Sequence, residues 1–515
     1  MGDAILEAFR FFALSRKSDL WVYDHERGIW TPTGNEKIHS IVSNWLGELY
    51  RPSSSKMTDD YIRGTNYIDK DLVGGQPEKI VLKNGVYDME SDVLGPFDPE
   101  MYALQALPVN YDPNAKAEKI NKFLEEICPD RVIILKEIAA YCLLRSMPFH
   151  RFFILEGTGR NGKGSYINLL REFLGKENVS SVSLQHLDSN RFKPAELYGK
   201  LANLSNDIPA AVLKNTGMIK QLAAGDGVTV ERKGRDPFQM ENYAKLIFSA
   251  NEVPMTRDNT DAFYRRAVTI KFMQKFDDGV NAIPNIWEKL ATQDELSGFF
   301  NECITHLKAL MKRGKFHNEK TIEERKMEYV KLSNPIQYFA LTCIVKDLKS
   351  TVFNVDMYNS YVELCEKLEK IPTNDAWFSK TVRRYLPYSH QAQIEINKKK
   401  HKIWKGIRLI DTVDTVDTVK PYTPISGYGV EKGERENTVS TVSTVSGSEP
   451  NLQERLEEYL ELFDTRAKGE TIKEAPWFRE LVSKDWNPKE VKQVTDLLKR
   501  DKKIFSPRIG WLKRC

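Results

Sequence analysis

The sequence predicts an α/β protein centred on a parallel sheet covered on both faces, with an α+β segment before it and helix-plus-hairpin segments after it. Three observations carry this. Between residues 150 and 275, apolar runs (RFFILEG, LANLSND, AKLIFSAN, RRAVTIKF) alternate with helical ones, and runs that are apolar throughout suit strands buried on both faces. The first of them leads into a glycine-rich turn, 157-GTGRNGKG-164, and then into a helical pattern. After residue 335, apolar-periodic helices are followed by hairpins rich in lysine.

A chain of 515 residues is too long for one core. Its composition, 41% hydrophobic and 29% charged, is that of a globular protein. No apolar run approaches the roughly 20 residues of a membrane-spanning helix, and MGDAILEAFRFF lacks a basic leader before a long apolar segment, so a cytoplasmic protein is expected. The six cysteines show neither Cys-x-x-Cys nor zinc-finger spacing and read as reduced, mostly buried thiols. A net charge of +4 leaves nucleic acid neither required nor excluded; where the charge lies must decide.

In chain order, residues 1–115 read as an α+β domain: WVYDHERGIW (21–30) as two strands around a turn, and IVLKNGVYDMESDVLGPF (80–97) as a hairpin with Asn84-Gly85 at its tip. Residues 116–150 read as a helical connector, and 151–332 as the sheet-bearing core, with a charged helical lid or connector over 285–332. Within 333–410, three helices (PIQYFALTCIV, DMYNSYVELCEKL, WFSKTVRRYL) and the hairpin IEINKKKHKIWKGIRL suggest a winged helix. Residues 411–450 carry tandem Asp-Thr-Val and Thr-Val-Ser units and read as a linker; 451–515 read as a second winged-helix-like domain.

The chemistry centres on the turn. Gly157, Gly159 and Gly162 let the backbone fold tightly and aim its amides at phosphate oxygens, with Thr158, Arg160 and Asn161 between them. The helix opening at Lys163 adds its positive end, and Lys163 a point charge for the β and γ phosphates. A Gly-x-x-x-x-Gly-Lys match alone is common by chance, but here it follows a strand and opens a helix. Gly164 stands where a Ser or Thr hydroxyl would meet a magnesium ion, and Ser165 is one residue, about 100°, further round the helix. Downstream strand ends supply Asp207 for a magnesium ion or its water, Asn251 to orient an attacking water, and Arg265 and Arg266 to reach a neighbour's γ-phosphate. Each has a bland reading as a cap, a turn residue or a surface charge; their order on successive strand ends weakens the bland readings taken together. Between these strands, VTVERK and the basic tip Arg232, Lys233, Arg235 could grip a nucleic-acid backbone, or be a solvated turn.

The ordered set GTGRNGKG, GKLANLSND, LAAGDGVTVERKGRDPF, KLIFSANEVP and DAFYRRAVTIKF resembles the superfamily 3 helicase domain of primase-helicases from phages, plasmids and large DNA viruses. WVYDHERGIW, LKNGVYDMESD and LPVNYDP resemble the domain that precedes it, so the likeness spans about residues 20–275, and the later segments are reminiscent of crenarchaeal plasmid replication proteins. The resemblance implies an AAA+ core, a ring, usually a hexamer, around single-stranded or forked DNA, and ATP hydrolysis with Mg2+ at subunit interfaces driving 3′-to-5′ movement. By position it implies Lys163 as the phosphate lysine, Asp207 as the metal-site acid, Asn251 as the sensor, Lys233 with Arg232 and Arg235 as the DNA hairpin, and Arg266, then Arg265, as the finger. Two departures stand out: Asn206 takes the place of a second carboxylate, so no catalytic base is identifiable there, and Gly164 leaves Ser165 or water to complete the magnesium shell.

Relatives also carry a DNA-synthesising domain with a carboxylate cluster; residues 1–150 offer only Asp88 and Asp92, which read as turn-forming acids. A helicase-only chain, or a fragment with its primase domain elsewhere in cis or in trans, is expected. Three functions remain: a DNA-stimulated ATPase and helicase, an ATP-regulated initiator ring, and a DNA-binding protein with a dead ATPase. Lys398, Lys399 and Lys400 and the tail from Lys502 to Arg514 are expected to touch DNA as wings, with a solvated rim as the rival reading.

Overall fold

The computed structural model describes residues 1–410, apart from Gly75, Arg235, Asp278, Asn397 and Lys398, and beyond them three short strands. The chain opens with helix α1 (Gly2–Ala8) and the antiparallel strands β1 (Phe11–Ala13), β2 (Leu20–Asp24) and β3 (Ile29–Thr31), backed by helices α2 (Gly34–Leu46) and α3 (Pro52–Thr65). A second antiparallel sheet follows: β4 (Lys79–Leu82), β5 (Gly85–Asp88) and β6 (Val93–Gly95). Asp88 accepts the amides of Glu90 and Ser91 and so shapes the turn into β6, the role expected of a turn-forming acid.

Helices α4 (Glu118–Ile127) and α5 (Val132–Tyr141) lead into the core. Its elements are β7 (Phe152–Glu156), α6 (Lys163–Leu174), β8 (Val179–Ser180), α7 (Leu184–Ser189), β9 (Ala202–Ser205), α8 (Gly217–Ala224), the hairpin β10 (Gly227–Val230) and β11 (Phe238–Glu241), β12 (Lys245–Ala250), α9 (Asp261–Tyr264) and β13 (Ala267–Lys271). Five strands form one parallel sheet in the order β13-β7-β12-β9-β8. Strands β7, β9 and β12 are buried along their whole length, which is why the sequence reads as continuous apolar runs there. The chain leaves β7 for the far edge, works back to β12, then crosses to β7's other side as β13. That reversal opens a crevice at the carboxyl end of β7, where open α/β sheets bind ligands.

Helices α10 (Ile286–Leu290), α11 (Gln293–Arg313) and α12 (Ile322–Ser333) come next. The sequence suggested a lid or connector, but α11 buries Phe299, Phe300, Cys303, Leu307 and Leu310 in the main core beside α4 and α5. Side chains of that size gain roughly 1.5–3 kcal/mol each on burial, so α11 is part of the core rather than a cover over it.

The described chain continues as α13 (Pro335–Thr342), β14 (Ile344–Phe353), α14 (Asn354–Lys367), α15 (Asp375–Val382), β15 (His390–Ile396) and β16 (Lys399–Leu409), with sheet order β14-β16-β15. Here the sequence reading is corrected at one point. PIQYFALTCIV was expected to be helical to Val345, but the helix ends at Thr342 and a ten-residue strand begins at Ile344. Alternating exposure along that strand, with lysines outward, gives it no continuous apolar run to read. Five cysteines, Cys128, Cys142, Cys303, Cys343 and Cys365, are free and buried, as expected. Separately, β17 (Ile472–Lys473) and β18 (Ile504–Phe505) flank β19 (Trp511–Arg514) in an antiparallel sheet. Apart from these strands, the expected linker (411–450) and second winged helix (451–515), Cys515 included, lie outside the described residues, as do Arg235 and Lys398. Among the described residues, no helix is long and apolar enough to cross a membrane.

Candidate nucleotide site

The loop from Gly157 to Gly162 lies between the carboxyl end of β7 and the start of α6. Its first amide bonds the Ala250 carbonyl of β12 at 3.2 Å, which ties loop to sheet. Gly159 (φ +102°) and Gly162 (φ +85°) take backbone angles closed to most residues. At Gly157 and Gly162 there is also no room for a side chain: a Cβ would lie 1.9 Å from Asn161 Nδ2 and 2.4 Å from Ile127 Cγ2 respectively. Arg160 shares the strained geometry at φ +51° and is exposed, as is Thr158.

Lys163, 4% exposed, turns back into the loop, donating to the Gly157 carbonyl at 2.5 Å and to Asn161 Oδ1 at 2.9 Å. Asn161 in turn donates to the Phe272 carbonyl after β13 at 3.4 Å. Burial lowers the Lys163 pKa, while the nearby Glu156 and Asp207 carboxylates oppose that shift. A cation desolvated and held by its own loop is poised to exchange those acceptors for phosphate oxygens.

The other groups converge on the same sheet edge. Asp207 follows β9, is exposed, and sits at φ +50°, a conformation costly for a non-glycine residue and often found where function fixes the backbone. The next amide, Ile208, bonds the Ser249 carbonyl of β12 at 2.9 Å, which anchors Asp207 beside the end of β12. Asn251, exposed, is the first residue past that strand. Lys163, Asp207 and Asn251 thus rise from the adjacent ends of β7, β9 and β12. Gly164 is exposed with no atom within 4 Å of where a Cβ would be, and Ser165 is half-buried. No group of three or more His, Cys, Asp or Glu that could hold a metal occurs among the described residues. A Mg2+ ion bound largely by substrate phosphates needs only one or two protein oxygens, and Asp207 and Ser165 are the candidates at this edge.

The two arginines are elsewhere. The Arg266 carbonyl accepts from Phe152, the first residue of β7, so both lie at the opposite edge of the sheet from the loop. Arg266, first choice by position, is 8% exposed and donates to the Ala262 carbonyl at 2.8 Å, whereas Arg265 is exposed. Arg266 also lines an open pocket of about 650 Å3 with Asp188, Arg191, Lys220 and Asp226.

On the β10–β11 hairpin, Arg232 is tied down. It lies over the rings of Tyr198 and Phe238, 5.6 and 5.1 Å from their centroids, and 3.8 Å from Asp19. Lys233 at the tip is exposed, and so are Lys399 and Lys400 at the start of β16. Sequence reasoning missed two groups: Glu156, the buried last residue of β7, and Lys370, whose ammonium lies 3.6 Å from it. An acid closing an apolar run is a weak signal for Glu156; a contact across more than 200 positions leaves none for Lys370.

Fold and loop together define an α/β chain whose five-strand parallel sheet carries a glycine-rich loop between β7 and α6. Residues 10–129 match the family described as D5 N terminal like, and residues 155–266 match a family of unknown function, DUF5906. Curated relatives include "Putative helicase L207/L206" of Acanthamoeba polyphaga mimivirus, 23% identical over 338 residues, which cover 60% of this chain and 35% of that protein. Another is "Putative helicase 184R" of Invertebrate iridescent virus 6, 26% identical over 255 residues, covering 45% of this chain and 25% of that protein. The chain therefore spans about a third or less of the length of these relatives. Among solved structures, the apo C-terminal region of NrS-1 is similar at 11% identity and a TM-score of 0.43, covering 78% of this chain and 97% of that one. The two family matches and the viral relatives together support a phage and viral primase-helicase family for this chain.

Proposed function

We propose that the chain is an ATP-hydrolysing DNA helicase of a replication system, working as an AAA+ ring, most simply a hexamer, with ATP bound between subunits. One observation carries the reading. The phosphate loop, Asp207 and Asn251 gather at one edge of the sheet while Arg265 and Arg266 lie at the other, so a site with all its parts needs two chains. In it, the loop amides and Lys163 hold the phosphates, Asp207 and Ser165 or a water complete the Mg2+ shell, Asn251 orients the attacking water, and an arginine from the neighbour meets the developing charge. Lys233, Lys399 and Lys400 are the DNA-facing cations among the described residues, and 3′-to-5′ movement follows the family resemblance. The relatives' names, putative helicases, support a helicase role at low identity.

The test is ATP turnover with and without single-stranded DNA, then strand displacement on a forked duplex, with Lys163→Ala as control. DNA-stimulated turnover with displacement is expected; no turnover in either condition would sink the proposal. An ATP-regulated initiator ring remains the second reading. It is favoured by the engagement of Arg232 with Asp19, Tyr198 and Phe238, which weakens the hairpin as a gripping element. Turnover without displacement would select it.

A further inference from the structure

Helix α14 ends in an unusual way. The Glu369 amide bonds the Glu366 carbonyl at 3.0 Å and the Lys370 amide bonds the Cys365 carbonyl at 2.9 Å, the paired bonds of a Schellman cap. The left-handed position of such a cap normally holds glycine, yet here it holds Glu369 at φ +56°. Both side chains of this strained turn are engaged: Glu369 lies 3.8 Å from Lys271 and Lys370 lies 3.6 Å from Glu156. Lys271 and Glu156 are themselves register partners, the last residues of β13 and β7. Two opposite charges on the connection from α14 to α15 therefore meet two opposite charges on the strand ends beneath the phosphate loop.

Glu156 is 2% exposed, and its Oε2 has no hydrogen-bond partner. Lys370, whose side chain is 15% exposed, lies against it, and Lys163, bonded to the carbonyl of the next residue, Gly157, feels its charge. A buried carboxylate without a counter-charge is costly. If Lys370 neutralises Glu156, Lys163 can leave for a phosphate; without Lys370, carboxylate and phosphate compete for one ammonium.

Building on the proposed ATP site, we propose that Lys370 is a positioning residue for that site: by pairing with Glu156 it frees Lys163 for the nucleotide. Nucleotide binding and the seating of the α14–α15 connection then favour each other, and by linkage the coupling runs equally in both directions.

The experiment measures ATP affinity and steady-state turnover for wild type, Lys370→Ala, Lys370→Arg, Glu156→Gln and the Glu156→Gln/Lys370→Ala double variant, with Lys163→Ala as control and thermal melting without nucleotide as a fold check. Lys370→Ala is expected to weaken ATP binding about tenfold, with kcat within about twofold of wild type, while Lys370→Arg stays near wild type. Once Glu156 is neutral, loss of Lys370 should change nothing further. Lys370→Met, which keeps the apolar stem, gives the same comparison should the alanine variant fail to fold. Unchanged affinity in the Lys370 variants, with binding lost in Lys163→Ala, overturns this inference alone; so does a loss that Glu156→Gln leaves in place. Absence of nucleotide binding by the wild-type chain overturns the ATP-site reading and this inference with it.

Discussion

A side chain at position 164 would point into open space, and Gly164 is not among the residues with positive φ. Neither packing nor backbone geometry requires glycine there, unlike at Gly157 and Gly162. Gly164→Ser is therefore expected to fold at least as well as wild type, with a gain of a few tenths of a kcal/mol, about the difference in helix propensity. It should also keep ATP turnover. On the proposed ATP site, Lys163→Ala should lower turnover on the order of a hundredfold or more, because it removes the desolvated charge proposed to hold the phosphates. Ser165→Ala should cost far less if water completes the metal shell, and as much as Lys163→Ala if its hydroxyl does. Steady-state turnover across a magnesium titration reads all three. The loop was legible in the sequence because each of its demands is local: glycines for angles and close approach, a lysine at the helix start. The partners Lys163 takes were not, since Asn161 and the Gly157 carbonyl are acceptors that any sequence supplies in some form.

At the scale of elements, Asp258 joins α8 to the loop before α9. It accepts from Lys220 at 2.7 Å and from Thr216, the residue before α8, and from the amide and hydroxyl of Thr260 at 2.9 and 2.6 Å. Although burial opposes ionisation, these donors together hold its carboxyl well below the usual carboxylate range. A carboxyl with a depressed folded-state pKa contributes stability above its unfolded value, about 4, and that contribution disappears as the pH falls through the folded-state value. Asp258→Asn is thus expected to destabilise the fold at pH 7 by about 2 kcal/mol. The gap to wild type should narrow as the pH falls below about 4, and melting curves between pH 3 and 7 check both. The donors lie up to 42 positions from Asp258 in the sequence, so only tertiary structure assembles them. The same holds for α11 and β14. In α11 a charged sequence carries one apolar stripe that meets α4 and α5, and in β14 an exposed strand alternates without a hydrophobic run. The strands of the central sheet were legible because burial on both faces writes itself into every residue.

For the whole molecule, the decisive feature is the length of β7 lying between arginine and phosphate loop. Phe152 pairs with the Arg266 carbonyl at one end, Glu156 precedes the loop at the other, and strands rise about 3.3 Å per residue. The order of these groups was legible in the sequence; that arginine and loop lie at opposite ends of adjacent strands follows from β13 pairing in parallel with β7. If the arginine acts on the neighbour's nucleotide, two inactive chains can repair one another. Lys163→Ala retains its arginines and Arg265→Ala retains its loop, so a mixed ring contains some interfaces with both parts intact. Random equimolar mixing in a head-to-tail ring leaves about a quarter of the interfaces complete. ATP turnover in the mixture should approach that fraction of wild type, while each variant alone is nearly inactive. Arg265 is the better residue to remove, since it is exposed, whereas Arg266 is buried and its loss would also disturb the strand that follows. Turnover per chain should also fall on dilution, as rings give way to chains that each hold half of every site. A mixture no more active than its components, together with turnover per chain independent of concentration, would mean that each chain completes its own site.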